Sequence, residues 1–144
     1  MRNVKVKKLS PDAKLPTIGS AAAAGADLYA LEPTQIAPGE TEMVHTGIAM
    51  EIPEGYGGFV YARSGLAVKR GLAPANKVGV IDSDYRGEIM VALYNQSRQT
   101  QQIEKGERIA QIVIAPYLSV NFEESKILSD TARGACGFGS TGRK

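Results

Sequence analysis

Residues 78–94 read VGVIDSDYRGEIMVALY, and their pattern decides the fold class. Two apolar runs of strand length, 78–81 and 89–94, flank a polar turn. The turn carries two carboxylates, Asp82 and Asp84, then Tyr85, then Arg86-Gly87. Read alone, it is either a charged hairpin or a site that gathers a base, a flat ring and a cation. The same alternation extends outward. Val4 and Val6 alternate with Lys5 and Lys7, and Met43-Val44, Ile48–Ile52, Phe59–Tyr61 and Ile109–Ala115 are further apolar runs. Turn chemistry separates them: PGE, PEGYGG, NQS and EKGE. Sixteen glycines and seven prolines in 144 residues fit many short strands and not long helices. One short helix is expected, over residues 64–69, with Ser64 as its N-cap and Gly71 ending it. The expectation is an all-β antiparallel sandwich or jelly roll with one small helix.

Composition narrows the function classes. A 43% hydrophobic content is that of a folded globular chain, and 144 residues suffice for one real core. The formal charge of +2 is scattered, with no basic block for a nucleic-acid groove. Cys136 is the single cysteine and His45 the single histidine, which excludes a disulfide framework and a two-histidine metal motif. No apolar signal core and no run of membrane-spanning length is visible, so the expected location is the cytoplasm, without membrane or nucleic-acid partners. Residues 1–130 read as one β domain. Residues 131–144, TARGACGFGSTGRK, hold four glycines and little core material, and read as a flexible C-terminal segment.

Four further islands accompany the 78–88 stretch: AGADLYA (24–30), ARSGLA (62–67), GERIAQ (106–111) and GFGSTG (137–142). In this order they resemble the trimeric dUTPase family, over residues 15–143. Taken from the residues, Arg63-Ser64-Gly65 is either an ordinary helix start or an anion site, since a guanidinium fork and unpaired N–H groups both suit phosphate. Asp82, at the end of an apolar strand, is the best-placed general base. Gln111 is either one polar side chain after a turn or a ligand group. Asp27, among small residues beside Leu28 and Tyr29, needs a partner, by ion pairing or through metal-bound water.

The resemblance implies dUTP hydrolysis to dUMP and pyrophosphate by Asp82-assisted water attack on the α-phosphorus. It implies that Arg63, Ser64, Gly65 and Gln111 contact the phosphates. It implies that backbone atoms of Asn76, Val80, Ile81 and Asp82 read the uracil edge, with Met90 nearby and Tyr85 against the deoxyribose. It further implies a lid of Arg133, Phe138, Gly139, Ser140 and Thr141, Mg²⁺ held mainly by the phosphates with Asp27 reaching it through water, and a homotrimer with sites at subunit contacts. Arg108 is expected in a structural role or at such a contact. The chain departs from the family pattern at Ala62, where proline is frequent, at Ala135, where an acidic residue is frequent, and at Cys136, where glycine is usual. Two other readings stay open: a dCTP deaminase of the same architecture, and a non-enzymatic jelly-roll interaction module.

Overall fold

The computed structural model describes residues 3–138. Twelve strands and one helix follow in order: β1 (Lys5–Lys8), β2 (Thr17–Ile18), β3 (Ala26–Tyr29), β4 (Thr34–Ile36), β5 (Thr41–His45), β6 (Ile48–Glu51), β7 (Tyr56–Tyr61), α1 (Ser64–Arg70), β8 (Leu72–Pro74), β9 (Gly79–Ile81), β10 (Met90–Asn95), β11 (Gln101–Ile103) and β12 (Arg108–Pro116). All strand pairs are antiparallel. The largest sheet has the order β2-β3-β12-β7-β9, and β5-β10-β8 form a second. Two strand pairs, β1-β6 and β11-β4, complete the sandwich.

The period-2 patterns account for this packing. Leu28 of β3, Val60 of β7 and Ile112 of β12 point inward from the large sheet. They meet Val44, Val91 and Leu93 from β5 and β10, together with Ile48, Leu72, Ile103 and Ile109, in one continuous cluster. Fully burying each such side chain contributes roughly 1.5–3 kcal/mol. Two polar side chains lie inside, each satisfied. The Asn95 amide donates to the carbonyls of Ile36 (2.9 Å) and Gln99 (2.8 Å), and the Thr46 hydroxyl donates to the carbonyl of Ile89.

Three local expectations are corrected. The helix extends through Arg70, and Gly71 ends it in the left-handed conformation (φ 67°) with its N–H on the Ala67 and Leu66 carbonyls. Its N-cap is Arg63, with no side-chain cap; Ser64 is the first helical residue. The turn between the apolar runs of 78–94 is not a hairpin loop. β9 pairs with β7, whereas β10 pairs with β5 and β8, so residues 82–89 cross from one sheet to the other. Short strands β2, β4, β8 and β11 carry too few apolar residues for periodicity to reveal.

Candidate functional site

The predicted residues fall into two groups, set by the ends of β7. Arg63, Ser64 and Gly65 follow the C-terminal end of β7 at the start of α1. There Gln111 of β12 pairs in register with both Tyr61 of β7 and Asp27 of β3. Leu28 and Ile112 face the core, so by strand alternation Asp27 and Gln111 share the outer face. Asp27, Arg63, Ser64, Gly65 and Gln111 line one cavity of about 220 Å³, with Gly19, Ala23 and Gly25.

This pocket is tightly cross-linked. Arg63 Nε donates to Asp27 Oδ1 at 2.8 Å and Arg108 Nη1 to Asp27 Oδ2 at 3.3 Å. The Asp27 side chain is only 15% exposed, which keeps these charges close in a poorly hydrated setting. The pairing role is therefore the one the structure displays for Asp27, and the half-exposed Arg108 joins it from the surface. Gln111 Nε2 donates to the carbonyl of Ala62 at 2.9 Å and fixes the turn before Arg63. Gly25 permits this: a Cβ there would stand 2.6 Å from Gln111 Oε1. Asp27 holds Arg63 through Nε, and the partly exposed Arg63 lines the cavity together with the exposed Ser64 and Gly65. A fork so placed suits phosphate oxygens.

The second group sits at the opposite end of β7. Ile81 pairs with Gly58, so Asp82 follows opposite Gly57, near the first residue of that strand. Val80, Ile81, Asp82, Tyr85 and Met90 line a cavity of about 180 Å³ with Met43 and Glu88. Asp82 and Tyr85 are both solvent-exposed. The Asp82 carbonyl accepts the Tyr85 N–H at 3.2 Å, and the Tyr85 hydroxyl donates to the Glu88 carbonyl at 2.9 Å. Arg86 turns back on its own loop, donating to the carbonyls of Ser83 (2.6 Å) and Tyr85 (3.0 Å). Sequence reasoning missed Met43 and Glu88, which come from another strand and from the exit of the crossover. It also missed Gly19, Ala23 and Gly25, although the small-residue run 18–25 was a visible signal.

The remaining residues are not gathered. Asn76 precedes β9 in an exposed turn, its side-chain amide near Gly79, outside both cavities. Arg133 and Phe138 line neither cavity; Arg133 Nε donates to the Cys136 carbonyl at 2.9 Å, and Phe138 is wholly exposed with φ 51°. Gly139, Ser140 and Thr141 lie outside the described residues. The two cavities share no residue.

A family model described as dUTPase matches residues 11–142. The chain belongs to the dUTPase family. It is 50% identical over 140 residues to a deoxyuridine 5′-triphosphate nucleotidohydrolase of Nautilia profundicola, covering 97% of this chain and 99% of that one. Among solved structures it resembles a Staphylococcus bacteriophage 80alpha dUTPase mutant with dUpNHpp, with a TM-score of 0.92, 29% identity and 99% of both chains covered. It also resembles a mutant dUTPase from phage phi11 of S. aureus, whose study describes coordination of a structural Mg(II) ion. That match has a TM-score of 0.80 and 25% identity over 88% of this chain and 98% of the other. The fold is thus the jelly-roll-like β architecture of this family. No described helix is long and apolar enough to cross a membrane.

Proposed function

We propose that this chain is a dUTP diphosphatase that splits dUTP into dUMP and pyrophosphate. The observation that carries the reading is Asp82 at the lip of a small apolar slot, beside Tyr85, in a dUTPase-family chain. Asp82 orients a water and takes its proton as the oxygen attacks the α-phosphorus; the bond to the bridging oxygen breaks and pyrophosphate leaves. The slot admits the base, with Val80, Ile81 and Met90 as its walls and main-chain groups of Asn76 and Val80–Asp82 reading its edge. Tyr85 packs on the deoxyribose, where a ribose 2′-hydroxyl would collide. Arg63, Ser64, Gly65 and Gln111 hold the phosphates.

Mg²⁺ enters this scheme with the triphosphate. Among the described residues no three His, Cys, Asp or Glu side chains gather as a cage, and both Asp27 oxygens already face arginines. Such a donor set offers no direct protein ligand, so the ion would be held by the phosphates, and Asp27 would face it only through water. The ion when bound offsets phosphate charge.

Register supports a composite site between subunits. Asp82 lies beyond Gly58 at one end of β7 and Arg63 beyond Tyr61 at the other. From residue 57 to 63, an extended chain spans about 20 Å at roughly 3.3 Å per residue. A water held by Asp82 and phosphates held by Arg63 must lie far closer than that. A neighbouring subunit's Arg63 would close the gap, in the homotrimer that three equivalent sites require. Exposed Leu118, Phe122, Ile127 and Leu128 are further surface for such contacts. Residues 131–144 then act as a lid, with Arg133 and Phe138 joined by Gly139, Ser140 and Thr141; Phe138 stacks on the base.

The test is pyrophosphate release from dUTP by wild type and Asp82→Asn. The wild type is expected to cleave dUTP well above dCTP, dTTP and UTP, without ammonia from dCTP. The Asn variant should bind dUTP but hydrolyse it about 10²–10⁴-fold more slowly. Near-wild-type turnover in that variant removes Asp82 from the role.

A further inference from the structure

The Glu88 side chain has no place in the chemistry above, yet it is the best-connected group beside Tyr85. Its Oε1 accepts the Gly47 N–H at 2.8 Å and its Oε2 lies 2.9 Å from His45 Nδ1. Its own carbonyl is the acceptor for the Tyr85 hydroxyl. One residue therefore grips the β5–β6 connection with its side chain and the ring of Tyr85 with its main chain. Gly87 completes the arrangement: a Cβ there would stand 2.5 Å from Tyr85 Cζ, so the ring lies directly over the glycine.

We propose that Glu88 is a positioning residue for sugar discrimination, resting on the reading of Tyr85 as the group that faces the deoxyribose. Selection against a 2′-hydroxyl by bulk requires that the ring not yield. Tyr85 is 42% exposed, so surrounding packing alone does not hold it. Its anchor is the Glu88 carbonyl, and the anchor is only as fixed as residue 88. The strand that follows has independent attachments: Ile89 N–H donates to the Ile48 carbonyl at 2.9 Å, and the Thr46 hydroxyl reaches the Ile89 carbonyl. The Ile89 N–H shares its planar peptide with the Glu88 carbonyl, so that peptide is held from the β10 side, and the carboxylate holds the other side of residue 88, toward Gly87 and the Tyr85 ring; removing it leaves β10 in place and frees that side.

The experiment compares kcat/KM on dUTP and UTP for wild type, Glu88→Ala, Glu88→Gln, Tyr85→Phe and the Glu88→Ala/Tyr85→Phe pair, with melting curves. The dUTP:UTP ratio should fall about tenfold in Glu88→Ala, the order expected from losing one anchoring hydrogen bond. Glu88→Gln should restore most of it, because an amide accepts the Gly47 N–H and donates toward His45. The double variant should discriminate no worse than the poorer single one, since both act on one anchor. An unchanged ratio in Glu88→Ala, additive losses, or equal losses on both nucleotides with a large fall in Tm each overturn the proposal. A wild type that does not prefer dUTP to UTP would instead sink the reading of Tyr85.

Discussion

Replacing Asp27 by asparagine separates two roles that its position allows. The carboxylate accepts Arg63 Nε at 2.8 Å and Arg108 Nη1 at 3.3 Å while 15% exposed. Two unit charges about 4 Å apart attract by roughly 4 kcal/mol at an effective dielectric of about 20. Desolvation offsets most of this. Exposed pairs net about 0.2–1 kcal/mol, and breaking a buried pair costs about 3–5 kcal/mol. Arg63 is 29% exposed and Arg108 53%, so this site belongs between those limits. Asparagine keeps an oxygen for Arg63, which leaves an expected loss of about 1–2 kcal/mol. For a chain of this length that lowers Tm by about 2–8 °C. The larger effect falls on phosphate binding. Held more loosely by the neutral amide, Arg63 forfeits about half of a charge-assisted contact worth about 1.5–3 kcal/mol, so kcat/KM on dUTP should drop about 3- to 12-fold. Pyrophosphate release measured across a Mg²⁺ titration is the assay. If Asp27 acts by aligning Arg63, the deficit persists at saturating Mg²⁺. Recovery of the full rate as Mg²⁺ rises would refute that argument and move Asp27 to the metal's water shell. Wild-type kcat/KM at every Mg²⁺ concentration would refute both.

Two further outcomes concern assembly. Arg63→Ala and Asp82→Asn should each be nearly inactive alone. Mixed by unfolding and refolding together, they should recover about a quarter of the wild-type rate, the share of intact sites in randomly mixed cyclic trimers; no recovery in verified mixed oligomers would mean that both residues act within one subunit. Truncation after Thr131 should leave size and Tm unchanged on light scattering and calorimetry while hydrolysis falls sharply, because water then reaches the site; full activity in the truncated chain would end the lid assignment.

The strands that carry the core were legible because each has an inward set of large apolar residues. Val91 and Leu93, or Ile48 and Met50, announce themselves by spacing and bulk. β2 and β8, with two and three residues, have too little pattern to read, and their pairing comes from tertiary context. The crossover at 82–89 was misread as a hairpin for a related reason. Apolar–turn–apolar is the signature of adjacent strands, and the sequence does not say that each strand prefers another neighbour. Asp82, Tyr85 and Arg63 stand out as candidates in the sequence because reactive groups stand beside backbone punctuation. Glu88 does not, since a glutamate after a turn looks like solvated surface until Gly47, forty-one residues earlier, is seen donating to it.

The division of the site follows from a property of strands. β7 is the rail on which both halves are built: β9 brings Asp82 to its first residues, and β12 with β3 brings Gln111 and Asp27 to its last. Such a strand, paired on both sides, fixes each half well but holds them apart by its own length. On the proposed reading, a single chain gains rigidity in each cavity and loses the ability to close them on one substrate. Joining the head of one β7 to the tail of another removes the conflict without bending either. In the composite site proposed above, the phosphate-binding groups stay on rigid elements, and closure falls to the glycine-rich C-terminal segment. This division also predicts where substitutions are tolerated. Changes that loosen the ends of β7, at Gly25, Gly87 or Glu88, act on alignment within one half, whereas changes at the subunit surface act on both halves together.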